Sequence, residues 1–246
     1  FEAGSLVSVK VTVPLTEAEQ TILITGSHDP VIDHLSDLLR TSGIFPASVH
    51  VGSMGGLMAL KRGDCHLAPM HLLSDDGDYN IAFLKRYMPD EELILICIAE
   101  REQGIVSRDG LNFDAITTHR FINRQKGSGT RMLLDYMLKE KGISSESIQG
   151  YNREVTTHLA VCLAVMSGDA DLGMAVHSAA KAYNLPFIPI GTERYELVVR
   201  KEIFESDSRV QSLVSLIQSD EFKSLLFRLG GYRTNETGAI RRISPI

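Results

Sequence analysis

The stretch Asn123-Arg124-Gln125-Lys126-Gly127-Ser128-Gly129-Thr130-Arg131 lies between the apolar pair Phe121-Ile122 and a helical pattern that begins at Met132. It reads as strand, tight loop, helix. Gly127 and Gly129 let the backbone turn with its N–H groups outward, while Ser128 and Thr130 can cap the helix and offer hydroxyl donors. A helix N-terminus attracts anions because unpaired N–H groups and the helix dipole converge there. Arg124, Lys126 and Arg131 add positive charge. The pattern Gly-x-Gly-x-Arg is neither a Walker motif nor a complete dinucleotide fingerprint, so for the loop alone a plain helix cap with solvated cations is an equal reading.

The same device recurs twice upstream. Ile22-Leu23-Ile24-Thr25-Gly26-Ser27-His28-Asp29 is an apolar run ending in Gly-Ser, followed by a helical pattern over residues 30–40. Ser48-Val49-His50-Val51-Gly52-Ser53-Met54-Gly55-Gly56 is another, with a short helix after it. Three strand-to-helix turns, each with serine beside glycine, can converge on one anion without a metal or a general base. Ser27, Ser53, Met54, Gly55, Arg124, Gly127, Ser128, Gly129, Thr130 and Arg131 are therefore the candidate ligand-binding residues.

Around these turns the order strand, helix, strand, helix, strand over residues 21–71 predicts a mostly parallel sheet. Residues 93–99, Leu-Ile-Leu-Ile-Cys-Ile-Ala, are apolar throughout, like a central strand. The pattern restarts at Phe121 and echoes the first unit: residues 58–68 and 163–173 each run helix, Gly-Asp turn, strand, and each is followed by a histidine, His71 or His177. These two are expected to line the pocket as hydrogen-bond donors. The fold class expected is α/β with two lobes: residues 21–99 with 192–246, and residues 100–191. Gly-Ser turns face a cleft between them, since ligands bind outside the carboxyl ends of strands in such sheets. The crossings near Ala99 and Gly191 are expected to act as a hinge. Residues 1–20 are expected to be the end strand of a preceding domain, with Val7, Val9, Val11 and Val13 on one face, followed by a linker. A chain beginning at Phe1 is expected to be part of a longer polypeptide. The tail from Gly230 reads as polar loop.

A net charge of −6 with the 25 Lys and Arg scattered argues against a nucleic-acid surface. Any anion is then held by local dipoles. The three cysteines, Cys65, Cys97 and Cys162, are far apart with no Cys-x-x-Cys or Cys/His ligand spacing, so buried free thiols, no structural zinc and a reducing cytoplasm are expected. No apolar run is long enough to span a bilayer, and no membrane partner is expected. Ser27-His28-Asp29 holds serine, histidine and aspartate as neighbours, which cannot form a relay, and Asp29 is better read as a helix cap. No Ser or Cys sits in a nucleophile elbow, so no catalytic residue is assigned. The acidic run in residues 74–80 lacks the spacing of a calcium loop.

The segments Gly52-Ser53-Met54-Gly55-Gly56-Leu57-Met58-Ala59-Leu60, His71-Leu72-Leu73 with Tyr79-Asn80, residues 123–131, and Gly230-Gly231-Tyr232 together resemble the periplasmic-binding-protein-like domain associated with MoeA-type molybdopterin molybdenumtransferases. The similarity covers about residues 22–238 and implies a two-lobed type II solute-binding fold with a hinge and central cleft. It implies an oxyanion ligand, molybdate or tungstate, no other cofactor, and a link to molybdenum-cofactor assembly through a partner domain in the same or another chain. The parent chain would then be the transferase, with this part a binding module. Arg124, Lys126 and Arg131 carry more charge than a neutral molybdate cage needs, which keeps open a larger phosphorylated ligand such as molybdopterin. A non-binding interaction domain and a homodimer also stay open.

Overall fold

The computed structural model describes residues 15–74 and 77–245. The expected strand through Val7 and Val13 lies outside the described residues, as do Asp75 and Asp76 of the acidic loop. Where residues 16–20 read as linker, the chain forms one helical turn, α1 (Leu15–Glu19). The alternation then follows as β1 (Thr21–Gly26), α2 (Pro30–Thr41), β2 (Phe45–His50), α3 (Gly52–Arg62) and β3 (Ala68–Met70). Local chemistry sets α2: Asp29 accepts from the Val31 N–H at 2.8 Å, Pro30 takes the first helical position, and Val31, Ile32, Leu35 and Leu39 form one buried face. Helix α4 (Ile81–Tyr87) leads into β4 (Leu93–Ser107). The second unit comprises β5 (Phe121–Arg124), α5 (Gly129–Glu140), β6 (Glu154–Val155), α6 (His158–Ser167), β7 (Leu172–Val176) and α7 (His177–Ala182). The echo between units is real in the backbone: α3 and α6 both end on a left-handed glycine, Gly63 and Gly168.

Residues 187–200 form one strand, β8 (Phe187–Arg200), in which polar Thr192, Glu193 and Arg194 continue the pleat. After α8 (Lys201–Ser206), α9 (Ser208–Gln218) and α10 (Asp220–Leu229), the tail is not all loop: β9 (Tyr232–Arg233) and β10 (Ile240–Ile243) both pair with β4. The strands of residues 21–70 pair with one another in parallel as expected, β1 with β2 and Ile24 with Leu67, and the sheet becomes mixed only through β4 and β8. β1 and β2 pair in parallel, but the eight-stranded sheet runs β3-β8-β4-β7-β5-β6 with an antiparallel β4/β8 ribbon at its centre.

That ribbon crosses the whole molecule. Buried apolar residues fall into four clusters, two drawn from residues 22–99 and 195–243 and two from residues 105–180. The polar stretch between them, Glu100–Gln103 facing Gly191–Arg194, is where the site lies. Among the described residues no helix is long and apolar enough to cross a membrane. Cys65, Cys97 and Cys162 are buried free thiols, and burial pushes the latter two up to about 12.

Candidate functional site

The register of β4 builds the centre. Side chains two apart share a face, so Arg101 and Gln103 point inward while Glu100 and Glu102 are only partly buried. Arg101 lies directly opposite Glu193 on β8 and Tyr232 on β9. Its Nε donates to Glu193 Oε1 at 2.5 Å, and its Nη1 donates to Asp29 Oδ2 at 2.5 Å. Its guanidinium also stacks on Tyr195, 4.0 Å from the ring centre. Asp29 is thus more than a cap: Oδ1 also accepts from Tyr232 Oη. Tyr195 Oη donates to the Ser27 carbonyl at 2.6 Å.

Around this pair the three Gly-Ser turns meet. Ser27 Oγ lies 2.8 Å from His71 Nε2, and His71 Nδ1 lies 2.6 Å from Glu193 Oε2. Burial raises and the Arg101 charge lowers the Glu193 pKa, and the balance holds it at about 2. An ionised Glu193 must accept from His71 Nδ1–H, which leaves Nε2 to accept the Ser27 O–H. Burial keeps His71 below the ordinary histidine range despite Glu193. Ser53 Oγ accepts from the His71 backbone N–H at 3.2 Å, and Met54 N–H donates to the Gly127 carbonyl at 3.2 Å. Gly129 packs against His71 so closely that a Cβ there would run into the ring and the carbonyl. Gly127 has φ +81° and takes the left-handed turn that lets Ser128 cap α5, where its Oγ accepts from the Arg131 N–H. Thr130 Oγ1 accepts from Gln103 Nε2 at 2.9 Å. Ser53, Ser128 and Thr130 all use the hydroxyl oxygen as acceptor in these bonds, so each still has its own O–H to donate.

Arg124 ends β5 and enters the same region, 1% exposed. Its Nη2 donates to the Thr156 carbonyl at 2.9 Å, while Nε and Nη1 have no hydrogen-bond partner. No carboxylate pairs with it among the described residues. Burial and the nearby Arg101 charge lower its pKa to about 10, which still leaves it cationic at neutral pH. Beside it His158, the first residue of α6, is fully buried with neither ring nitrogen partnered. Burial first, then the Arg124 and Arg101 charges, push it well below the ordinary histidine range, so it is neutral. Arg101 Nη2 and Gln103 Oε1 are also buried without partners.

The other candidates stand apart. Gly55 lies in α3 against Val51, and the Met54 side chain packs on the hydrophobic cluster beneath α3. Arg131 turns outward onto Tyr151, 4.0 Å from its ring centre, and pairs with Asp135 and Glu154. His177 is partly exposed, stacked on Phe187 at 4.8 Å with Nδ1 3.3 Å from Glu102 Oε2. Arg101, Gln103, Glu193 and Tyr195 were not singled out from sequence. The available signal was the polar alternation Glu100-Arg101-Glu102-Gln103 prolonging an apolar strand.

Residues 36–218 match the model of a family described as PBP superfamily domain. An uncharacterized protein, YvgK of Bacillus subtilis (strain 168), is 30% identical over 235 residues, covering 91% of this chain and 74% of that protein. Among solved structures, one assigned as a phosphate ABC transporter substrate-binding protein with bound phosphate, from Clostridium perfringens, superposes with TM-score 0.62 at 14% identity, covering 86% of this chain and 98% of that one. The tungstate ABC transporter from Geobacter sulfurreducens gives TM-score 0.61 at 12% identity, covering 85% and 99%. At such identities these structures show a shared fold.

Proposed function

This chain belongs to the PBP superfamily, and on that premise we propose that its cleft binds a small tetrahedral oxyanion, molybdate or tungstate. The observation that carries the reading is Arg124: a buried cation with two unpartnered nitrogens and no carboxylate. Asp29 and Glu193 favour its charge only from a distance, and leaving buried polar groups without a hydrogen-bond partner costs about 1–3 kcal/mol. An anion there supplies the missing acceptor. The unassigned hydroxyl protons of Ser53, Ser128 and Thr130, Arg101 Nη2 and the N-terminus of α5 supply further donors. The two carboxylates nearby, Asp29 and Glu193, are both spent on Arg101, so they do not quench Arg124 by direct pairing.

The phosphate and tungstate ligands of proteins with this fold support an oxyanion as the class. The likeness of residues 52–60 and 123–131 to the MoeA-associated domain supports the metal oxyanions and a cytoplasmic role in molybdenum-cofactor assembly. Calorimetric titration with molybdate, tungstate, phosphate, sulfate and a pterin phosphate tests this. Saturable binding of molybdate or tungstate is expected; no heat from either sinks the assignment, and preference for the pterin moves the site to a larger ligand.

A second reading rests on the chain Ser27–His71–Glu193, which has the spacing of a nucleophile, base and acid. It accounts for three residues but leaves Arg124 and His158 unexplained, so binding is the better account. Covalent labelling of Ser27 by a fluorophosphonate would reverse that order.

A further inference from the structure

We propose that His28, Asp33 and His50 form a site for a divalent transition metal of the zinc class, independent of the oxyanion reading. The strand register brings them together: Gly26 on β1 pairs with His50 at the end of β2, and His28 emerges from β1 two residues later. Asp33 returns from the first turn of α2, with Oδ2 2.9 Å from His28 Nε2. The two imidazoles lie 4.3 Å apart between centroids, inclined by 49°. One ligand atom from each of the three residues lies within 4.8 Å of the others. Around a tetrahedral zinc with bonds near 2.1 Å, ligand atoms sit about 3.4 Å apart, so the set has to draw together to bind.

His28 is only 4% exposed and directs Nε2 at Asp33 Oδ2. A plain His28–Asp33 ion pair would account for two residues and leave outside it the second imidazole, which is tilted 49° to the first and lies 3.2 Å from Ser48 Oγ through Nε2. Two nitrogens and one oxygen favour zinc, cobalt or nickel over magnesium or calcium, which take oxygen ligands. Asp33 is 55% exposed at its side chain, so the fourth coordination position faces solvent and takes water. A metal here would tie the end of β2 to the turn that carries Ser27 and Asp29.

The test is titration of the chelator-stripped protein with Zn²⁺ and Co²⁺ in the absence of any oxyanion. One equivalent should bind, with cobalt developing the visible absorption of a four-coordinate nitrogen/oxygen site. His50→Ala and Asp33→Asn should each weaken binding at least about tenfold, the lower end of what losing even an outer-shell partner costs. His34→Ala, an exposed neighbour outside the set, should bind as the wild type does. Asp33→Asn is nearly isosteric at an exposed position, so it keeps the test open if His50→Ala melts early. No saturable metal binding, unchanged affinity in Asp33→Asn, or loss of binding in His34→Ala would each overturn the proposal.

Discussion

Arg124 and Arg131 leave the same loop seven residues apart and meet opposite surroundings. Arg131 keeps its guanidinium against Tyr151 between Asp135 and Glu154, whose side chains are 45% and 33% exposed. Arg124 turns inward, where two of its nitrogens find nothing. Both side chains are almost wholly buried, at 1% and 3%, so burial alone does not separate them. What separates them is the carboxylate: Arg131 pairs with Asp135 and Glu154, whereas Arg124 pairs with none among the described residues. A cation in a sequence motif therefore says little about ligand binding until its partner is known.

The sharpest way to probe this contrast is to strip a carboxylate from the paired buried arginine, Arg101. Glu193→Gln removes one of the two carboxylates on Arg101 and also unpins His71. It should cost about 3–5 kcal/mol, read by denaturant unfolding. Arg124→Met, which removes an unpartnered charge, should leave stability unchanged or raise it. Equal losses in the two variants would mean that Arg124 is compensated within the fold.

In binding, the order reverses. Arg124→Met should weaken oxyanion affinity roughly a hundredfold, equivalent to one or two charge-assisted bonds of about 1.5–3 kcal/mol, while Ser128→Ala should cost roughly tenfold. Calorimetry of both variants against tungstate checks the ranking. A Ser128→Ala effect larger than that of Arg124→Met would make the hydroxyl cage, rather than the cation, the main holder.

Acid should probe the cleft from another side. His71 and His158 are held below their ordinary value near 6.5, so they favour the folded state fully above that pH and progressively less as pH falls beneath it. Glu193, held at about 2 against an ordinary 4.5, adds a second loss between those values. Thermal unfolding between pH 8 and 5 should show a falling melting temperature, flattened in His158→Gln. A flat wild-type profile would mean that both imidazoles are hydrated. The smallest effect belongs to Arg131: its partners Asp135 and Glu154 reach solvent and stay hydrated without it, so Arg131→Met should lose only about 0.2–1 kcal/mol per broken pair and keep its oxyanion affinity.

Much of this was legible in the chain. The three Gly-Ser turns, the alternation of strands and helices, the Gly-Asp echo and the α/β two-lobed class all follow from local signals that depend on neighbours within a few residues. The inner polar core did not, because Arg101 and Glu193 are 92 residues apart and meet only through the β4/β8 register. The same limit explains Ser27-His28-Asp29. As neighbours they cannot form a relay, and the fold sends them to three different partners: Ser27 to His71, His28 to Asp33, and Asp29 to Arg101. The tail strands were missed because β9 and β10 are two and four residues long and take their order from pairing with β4.

The oxyanion proposed at Arg124 can be seen crystallographically. Anomalous diffraction at a tungsten absorption edge, from crystals grown with tungstate, tests it most directly. One strong peak is expected within hydrogen-bonding reach of Arg124 and of the hydroxyls of Ser53, Ser128 and Thr130. A peak only beside Lys126 and Arg131 on the outer face, or none in the cleft, would contradict it.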